Sequence, residues 1–254
     1  MVHFVRKRTS TVAFDFVNSG VSGEWEARRT NLPSPLPFND GYALRLPAWQ
    51  PLPSGQGETL ASAIKRLGAR AIEPRELGRL IETVLLACDA VAHAHARGVI
   101  HGALNPSSIV HDGSGVVSGY GGGRDLQLGS PAYFSTEQAW GRRANFDART
   151  DVYSFGAILF AILTGRGPHE QDTLELELAS ARRSIVRDPR ALCPERSLPP
   201  ALCLIALRAL SASPTDRYPS IAILKQNLEL FMRSLPASAP VAKAPDVHAT
   251  ALAS

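Results

Sequence analysis

The stretch 151–163 constrains the fold of this chain more than any other segment. Val152, Phe155, Ile158, Leu159 and Ile162 recur at helical steps, and most positions between them are apolar as well. A helix that is apolar nearly all round has to be buried on most sides, so the other elements must enclose it. Its apolar run, 155–163, falls well short of the ~20 residues that a membrane-spanning helix needs. The expectation is a helix inside a globular core, opened by Asp151 and ended by Gly165.

Other helices follow from the same periodicity. Residues 58–67 read as one. From Pro74 onward, Leu77, Leu80, Ile81, Val84, Cys88, Val91 and His95 repeat at steps of three and four, and Gly98 supplies the stop. Residues 202–210 and 220–232 give two more. The run Leu174-Glu175-Leu176-Glu177-Leu178 reads as a half-exposed helix, with a docking edge as the alternative. The N-terminal third is less regular. Residues 12–17 suggest a short strand, 42–46 alternate as a strand does, and 31–40 and 51–57 are loops. His111-Asp112-Gly113-Ser114-Gly115 has the composition of a hairpin turn. Residues 235–254, rich in Ala, Pro and Ser, carry no periodicity and read as a flexible tail.

Composition narrows the function classes. Hydrophobic residues make up 44% of the 254 and charged residues 20%, ordinary values for a globular protein. The net charge of +4 comes without a Lys/Arg run, and the only lysines are Lys7, Lys65, Lys225 and Lys243, so no nucleic-acid partner is expected. Cys88, Cys193 and Cys203 are scattered and form no C-x-x-C pair, which argues for a reducing compartment and against a zinc site. His93 and His95 lie two apart on one helix and point to different faces, so Cys88, His93, His95 and His101 are not read as a metal cluster. His95 is read as a packed helix residue. No positive-then-apolar signal pattern opens the chain, and a cytoplasmic location is expected.

Three segments, in order, carry a resemblance. The first runs Ala92-His93-Ala94-His95-Ala96-Arg97-Gly98-Val99-Ile100-His101-Gly102-Ala103-Leu104-Asn105-Pro106-Ser107-Ser108-Ile109. The second is Gly129-Ser130-Pro131-Ala132-Tyr133-Phe134-Ser135-Thr136-Glu137-Gln138, followed by Asp151-Val152-Tyr153-Ser154-Phe155-Gly156. The third is Ala209-Leu210-Ser211-Ala212-Ser213-Pro214-Thr215-Asp216-Arg217-Tyr218-Pro219-Ser220. They resemble the catalytic loop, the end of the activation segment and the last subdomain of bacterial serine/threonine protein kinases, and together they cover about residues 58–232. The resemblance implies an α+β, protein-kinase-like two-lobe fold. A truncated, β-rich small lobe would occupy 1–46, a mostly helical large lobe 47–234, and the tail 235–254.

The residues that carry the family's chemistry are replaced. The carboxylate that orients the substrate hydroxyl is Ala103, which can neither orient nor accept a proton. The preceding Arg is Gly102, the phosphate-facing Lys is Asn105, and the magnesium-holding Asn is Ser108. The magnesium-binding Asp falls on Gly119, or on Gly121 in a register two residues later. Asp112 lies nearby but reads as a turn residue. The glycine-rich loop has only Gly20-Val21-Ser22-Gly23 as a hint, and no Lys lies between Lys7 and Lys65 to grip phosphates. Residues that hold the family's scaffold remain. The resemblance places His101 as a packing element, Asp151 as an acceptor for the loop's N–H groups, and Glu137 and Arg217 as an ion pair. Ser130, Ser135 and Thr136 are read as plain loop rather than as phosphorylation sites.

The expectation is therefore a pseudokinase with no catalytic residues, serving as a regulatory or interaction module. Its partner would be another protein, such as an active kinase or its substrate. ATP and magnesium are implied by the resemblance, but the missing ligands argue against binding. The alternatives are a serine/threonine kinase or other nucleotide-dependent transferase working through atypical residues, and a nucleotide sensor without turnover.

Overall fold

The computed structural model describes residues 2–7, 10–18, 25–30 and 119–120 by their backbone, and 58–68, 70–111, 113, 116–118, 130–142 and 145–235 with side chains. The elements are β1 (Val2–Lys7), β2 (Ser10–Asn18), β3 (Trp25–Thr30), α1 (Leu60–Leu67), α2 (Pro74–His95), β4 (Val117–Tyr120), α3 (Thr136–Ala139), α4 (Ala148–Thr164), α5 (Leu174–Arg183), α6 (Pro189–Leu192), α7 (Pro200–Ala209) and α8 (Ile221–Ser234). The described chain is mostly helical, with few strands.

Four antiparallel strands form one sheet in the order β1-β2-β3-β4. Val2 pairs with Asp15, Ala13 with Thr30, and Ala27 with Val117. The strand expected at 12–17 lies within β2, whereas β1 and β3 add strands that side-chain periodicity does not mark. The strand expected at 42–46, the loops at 31–40 and 51–57, the glycines at 20–23 and residues 236–254 lie outside the described residues.

Helix α4 occupies the centre. Every residue from Thr150 to Thr164 is buried, as the all-round apolar pattern requires. It starts earlier than the sequence suggests. Asp147 is the N-cap, accepting a hydrogen bond from the Arg149 N–H at 2.7 Å, and Asp151 lies inside the first turn. Gly165, at φ 83°, ends the helix in the left-handed conformation that glycine adopts without strain. Helix α2 has Pro in its first turn, where the missing N–H is harmless, and buries Leu77, Leu80, Ile81, Val84, Cys88 and Val91. Together with α7 and α8 these helices form one contiguous core.

Ser135 and Thr136 are not plain loop. Ser135 caps α3 in a reciprocal box with Gln138, and Ser135 is completely buried. The acidic-apolar run begins α5, where Leu174 and Leu176 are exposed and Leu178 packs beside Phe134, Ala139 and Ala181.

Among the described glycines, the one most closely packed is Gly156, in the middle of α4. A Cβ there would come within 2.7 Å of Ala209 Cβ and 3.1 Å of the Ala209 carbonyl carbon, both fixed to the α7 backbone. Replacing a mid-helix glycine by alanine gains about 1 kcal/mol of helix propensity. Overpacking a core costs roughly 1–3 kcal/mol. Because neither contact can rotate away, the clash should win. Gly156→Ala is expected to lower the urea midpoint, and a raised midpoint would show that α4 and α7 do not approach this closely.

Candidate functional site

The loop 101–109 lies between the end of α2 and β4, and a single carboxylate fixes its entry. Asp151 is fully buried in the first turn of α4. Its Oδ2 accepts the His101 backbone N–H at 2.8 Å, and its Oδ1 accepts the Gly102 N–H at 2.7 Å. His95 Nε2 lies 2.7 Å from the same Oδ2, so the end of α2 is tied to the same group. Gly102, at φ 73°, takes a left-handed backbone that a side chain with a Cβ adopts only with strain. Its carbonyl accepts a hydrogen bond from Gln138 Nε2 at 2.6 Å, which joins the loop to α3.

The His101 ring is completely buried. Its Nε2 donates to the Ser118 carbonyl at 2.8 Å, and its Nδ1 accepts the Ala103 N–H at 3.2 Å. Burial depresses its pKa, more than the Asp151 charge and the Ser118 bond raise it. The neutral ring thus braces the loop against β4.

The side chains of Asn105 and Ser108 bond back into the loop. Ala103 is buried and presents a methyl group. Asn105 caps the short 3-10 turn Pro106–Ser108, its Oδ1 accepting the Ser107 N–H at 2.8 Å and its Nδ2 donating to the Ala103 carbonyl at 3.1 Å. Ser108 Oγ donates to the Asn105 carbonyl at 2.7 Å and accepts the Asn105 N–H at 3.2 Å. The loop then runs into short extended pairings, Ile109 with Val117 and Thr59 with Val110. Val110 N–H bonds to the Val116 carbonyl at 2.9 Å, closing the turn around Gly113; Asp112 is outside the described residues. Gly119 lies in β4 and is described by its backbone alone, while Gly121 is outside the described residues.

Magnesium with a nucleotide needs one or two carboxylates beside phosphate oxygens. Among the described residues the donors do not fit it. Position 103 has no oxygen on its side chain, and the oxygens of Asn105 and Ser108 already face the loop's own backbone. Among the described residues no group of three or more His, Cys, Asp or Glu is placed to hold a metal ion.

Glu137 and Arg217 meet in the interior. Arg217 Nη1 and Nη2 donate to Glu137 Oε1 and Oε2 at 2.7 and 2.9 Å, a bidentate pair. Arg217 also donates to the carbonyls of Ser211, Arg149 and Ala212, and its guanidinium stacks 4.8 Å from the Tyr153 ring centre. Thr150 Oγ1 donates to Glu137 at 3.1 Å. Burial by itself would push the Glu137 carboxyl up, but the hydrogen bonds and charge of Arg217 outweigh it and hold the pKa low.

His95, Gln138 and Thr150 take parts in this network that residue-by-residue reading misses. His95 is packed, as its helical position suggests, but its ring is spent on Asp151. The Ser135-x-x-Gln138 spacing is a capping-box signal. Only the fold shows that Gln138 also reaches Gly102.

No family model matches the chain. Curated relatives do. The chain is 31% identical to the serine/threonine-protein kinase Pkn1 of Myxococcus xanthus over 63% of its own length and 25% of the relative's. It is 31% identical to the serine/threonine-protein kinase PksC of Streptomyces coelicolor over 72% of its length and 34% of the relative's. It is 33% identical to the serine/threonine-protein kinase PknB of Mycolicibacterium smegmatis over 62% and 26%. The chain thus spans a quarter to a third of the length of these relatives.

Removing one partner of a buried, hydrogen-bonded pair costs about 3–5 kcal/mol. Arg217→Ala strands the Glu137 carboxylate and releases three carbonyls, so it should fall in that range by urea denaturation. Ala103→Asp should cost much less. An Arg217→Ala protein unfolding at the wild-type midpoint would contradict the buried pair.

Proposed function

This chain belongs to the bacterial serine/threonine kinase-like family, and from that premise we propose that it is a pseudokinase, a regulatory or protein-interaction module that transfers no phosphate. The observation that carries this reading is the pairing of Asn105 with Ser108. Two positions that serve phosphate and magnesium in the resembling family are here engaged in a reciprocal cap of the loop. Ala103 supports it, because a methyl group cannot orient a hydroxyl or take its proton. The intact Glu137–Arg217 pair and the Asp151 contacts support a maintained scaffold rather than general decay.

We propose a small lobe in residues 1–46 ahead of a helical large lobe in 47–234, working in the bacterial cytosol on another protein, such as an active kinase or its substrate. No described helix is long and apolar enough to cross a membrane. A second reading keeps enzymatic activity through displaced residues, and it is favoured by the relatives, each named as a serine/threonine-protein kinase.

Purified protein incubated with radiolabelled ATP and magnesium is expected to label neither itself nor generic protein acceptors above a no-protein control. The melting temperature should also stay within about a degree at millimolar magnesium-ATP, since a ligand bound only by the folded state raises it. Labelling that depends on the protein would replace the pseudokinase reading with the enzymatic one. A magnesium-dependent rise of several degrees without labelling would make the chain a nucleotide sensor.

A further inference from the structure

A cleft of about 530 Å³ opens beside the loop, where the C-terminal ends of α1 and α4 come together. Its size lies within the roughly 300–1,000 Å³ of ligand-binding clefts. Pro106, next to the Asn105 cap, forms part of its wall, and Ile64 and Tyr133 give it apolar surface.

The charge in this cleft is one-sided. Among the described residues, Lys65, Arg166 and Arg196 line it against the single carboxylate of Glu170. That carboxylate is engaged, accepting the Gly167 N–H at 2.8 Å. Lys65 and Arg166 are exposed, and neither has an acidic partner among the described residues. The neighbouring Arg66, by contrast, is paired with Glu58.

Arg196 supplies a second, independent observation. It is only 5% exposed. Its Nη1 donates to the Leu163 carbonyl at 2.9 Å and its Nη2 to the Gly68 carbonyl, so the guanidinium clamps the ends of α4 and α1. A cation suits two helix C-termini, whose last carbonyls carry partial negative charge. Gly165 allows the approach, because a Cβ there would meet Arg196 Nη2 at 3.3 Å. Among the described residues, however, the buried Arg196 Nε has no hydrogen-bond partner. A buried donor left unpaired carries a penalty that an incoming acceptor removes.

We infer that this cleft docks an acidic peptide segment of a partner protein, with its carboxylates on Lys65, Arg166 and Arg196 and the intervening side chains against Ile64 and Tyr133. The inference rests on the reading of the chain as an interaction module and gives the partner its chemistry. A single small anion would satisfy one cation and leave most of the 530 Å³ and its apolar wall unused. A segment with alternating carboxylates and small side chains uses both.

The test is fluorescence anisotropy on the full chain with a labelled peptide of alternating glutamate and alanine, and with glutamine and lysine counterparts of equal length. The glutamate peptide should bind, and the glutamine peptide should bind at least about tenfold more weakly, a difference of about 1.4 kcal/mol. Lys65→Glu and Arg166→Glu should each weaken binding by about tenfold and leave the melting temperature near wild type, since both side chains are exposed. Arg233→Glu, an exposed charge reversal that does not line the cleft, should change it less than twofold. Equal binding of the glutamate and glutamine peptides would overturn the inference, as would equal losses in all three variants. Full displacement by millimolar inorganic phosphate would reduce the cleft to a small-anion site. Self-association lost in Lys65→Glu would assign it to a second copy of this chain, and either result overturns the peptide. Binding of the glutamate peptide together with phosphate transfer to a serine-bearing version would refute the pseudokinase reading alone. Absence of both binding and transfer would refute the docking alone.

Discussion

A fully buried carboxylate is tolerable only when charge-matched or surrounded by donors, and Asp151 meets that condition with the parts it joins. Its two oxygens take the backbone N–H groups of His101 and Gly102 and the ring of His95. The N-terminal turn of the central helix is thereby fixed to the end of α2 and to the start of the loop. Several contacts of the loop build on that anchor. Gly102 can hold its left-handed turn, its carbonyl can meet Gln138, and the His101 ring can stand between the loop and β4. Removing the carboxylate would orphan two buried backbone donors at once.

The Glu137–Arg217 pair does for the C-terminal part what Asp151 does for the loop. Its energy relative to a hydrophobic pair of equal volume is modest or unfavourable, because both charges are desolvated. Its value is positional. One guanidinium reaches Glu137 and the carbonyls of Arg149, Ser211 and Ala212, so α3, the start of α4 and the segment after α7 are held in one arrangement. In this scaffold Asn105 and Ser108 have become local braces. Side chains engaged in capping the turn are less available to a phosphate, and that engagement underlies the pseudokinase proposal.

Periodicity alone locates α2, α4 and α8, because burial on one or more faces restricts residue type at every turn. The helix starts are less legible. Asp147 and Asp151 are both acidic residues near the start of α4, and only packing decides that the first caps the helix while the second goes inside. The four-residue helices α3 and α6 are too short to show a period. β1 and β3 are strands by backbone pairing; in Trp25-Glu26-Ala27-Arg28-Arg29-Thr30 the apolar/charged alternation stops after Arg28, too short to mark a strand. At the site, Ala103, Asn105, Ser108 and Gly119 are singled out by the resemblance alone. What Asn105 and Ser108 do could not be read from it, because a reciprocal cap is a matter of geometry. The convergence of His95 on Asp151 links residues 56 apart and appears only once α2 and α4 are packed.

Asn105 and Ser108 hold the loop's own shape through their reciprocal cap. Urea denaturation of Asn105→Lys checks this, because the substitution removes the cap. Loss of a side-chain cap typically costs about 0.5–2 kcal/mol. The account predicts a loss in that range, with the Ser107 N–H and the Ala103 carbonyl left without their present partner. A midpoint equal to that of the wild type would show that Asn105 does not brace the loop, and would contradict the account at its base.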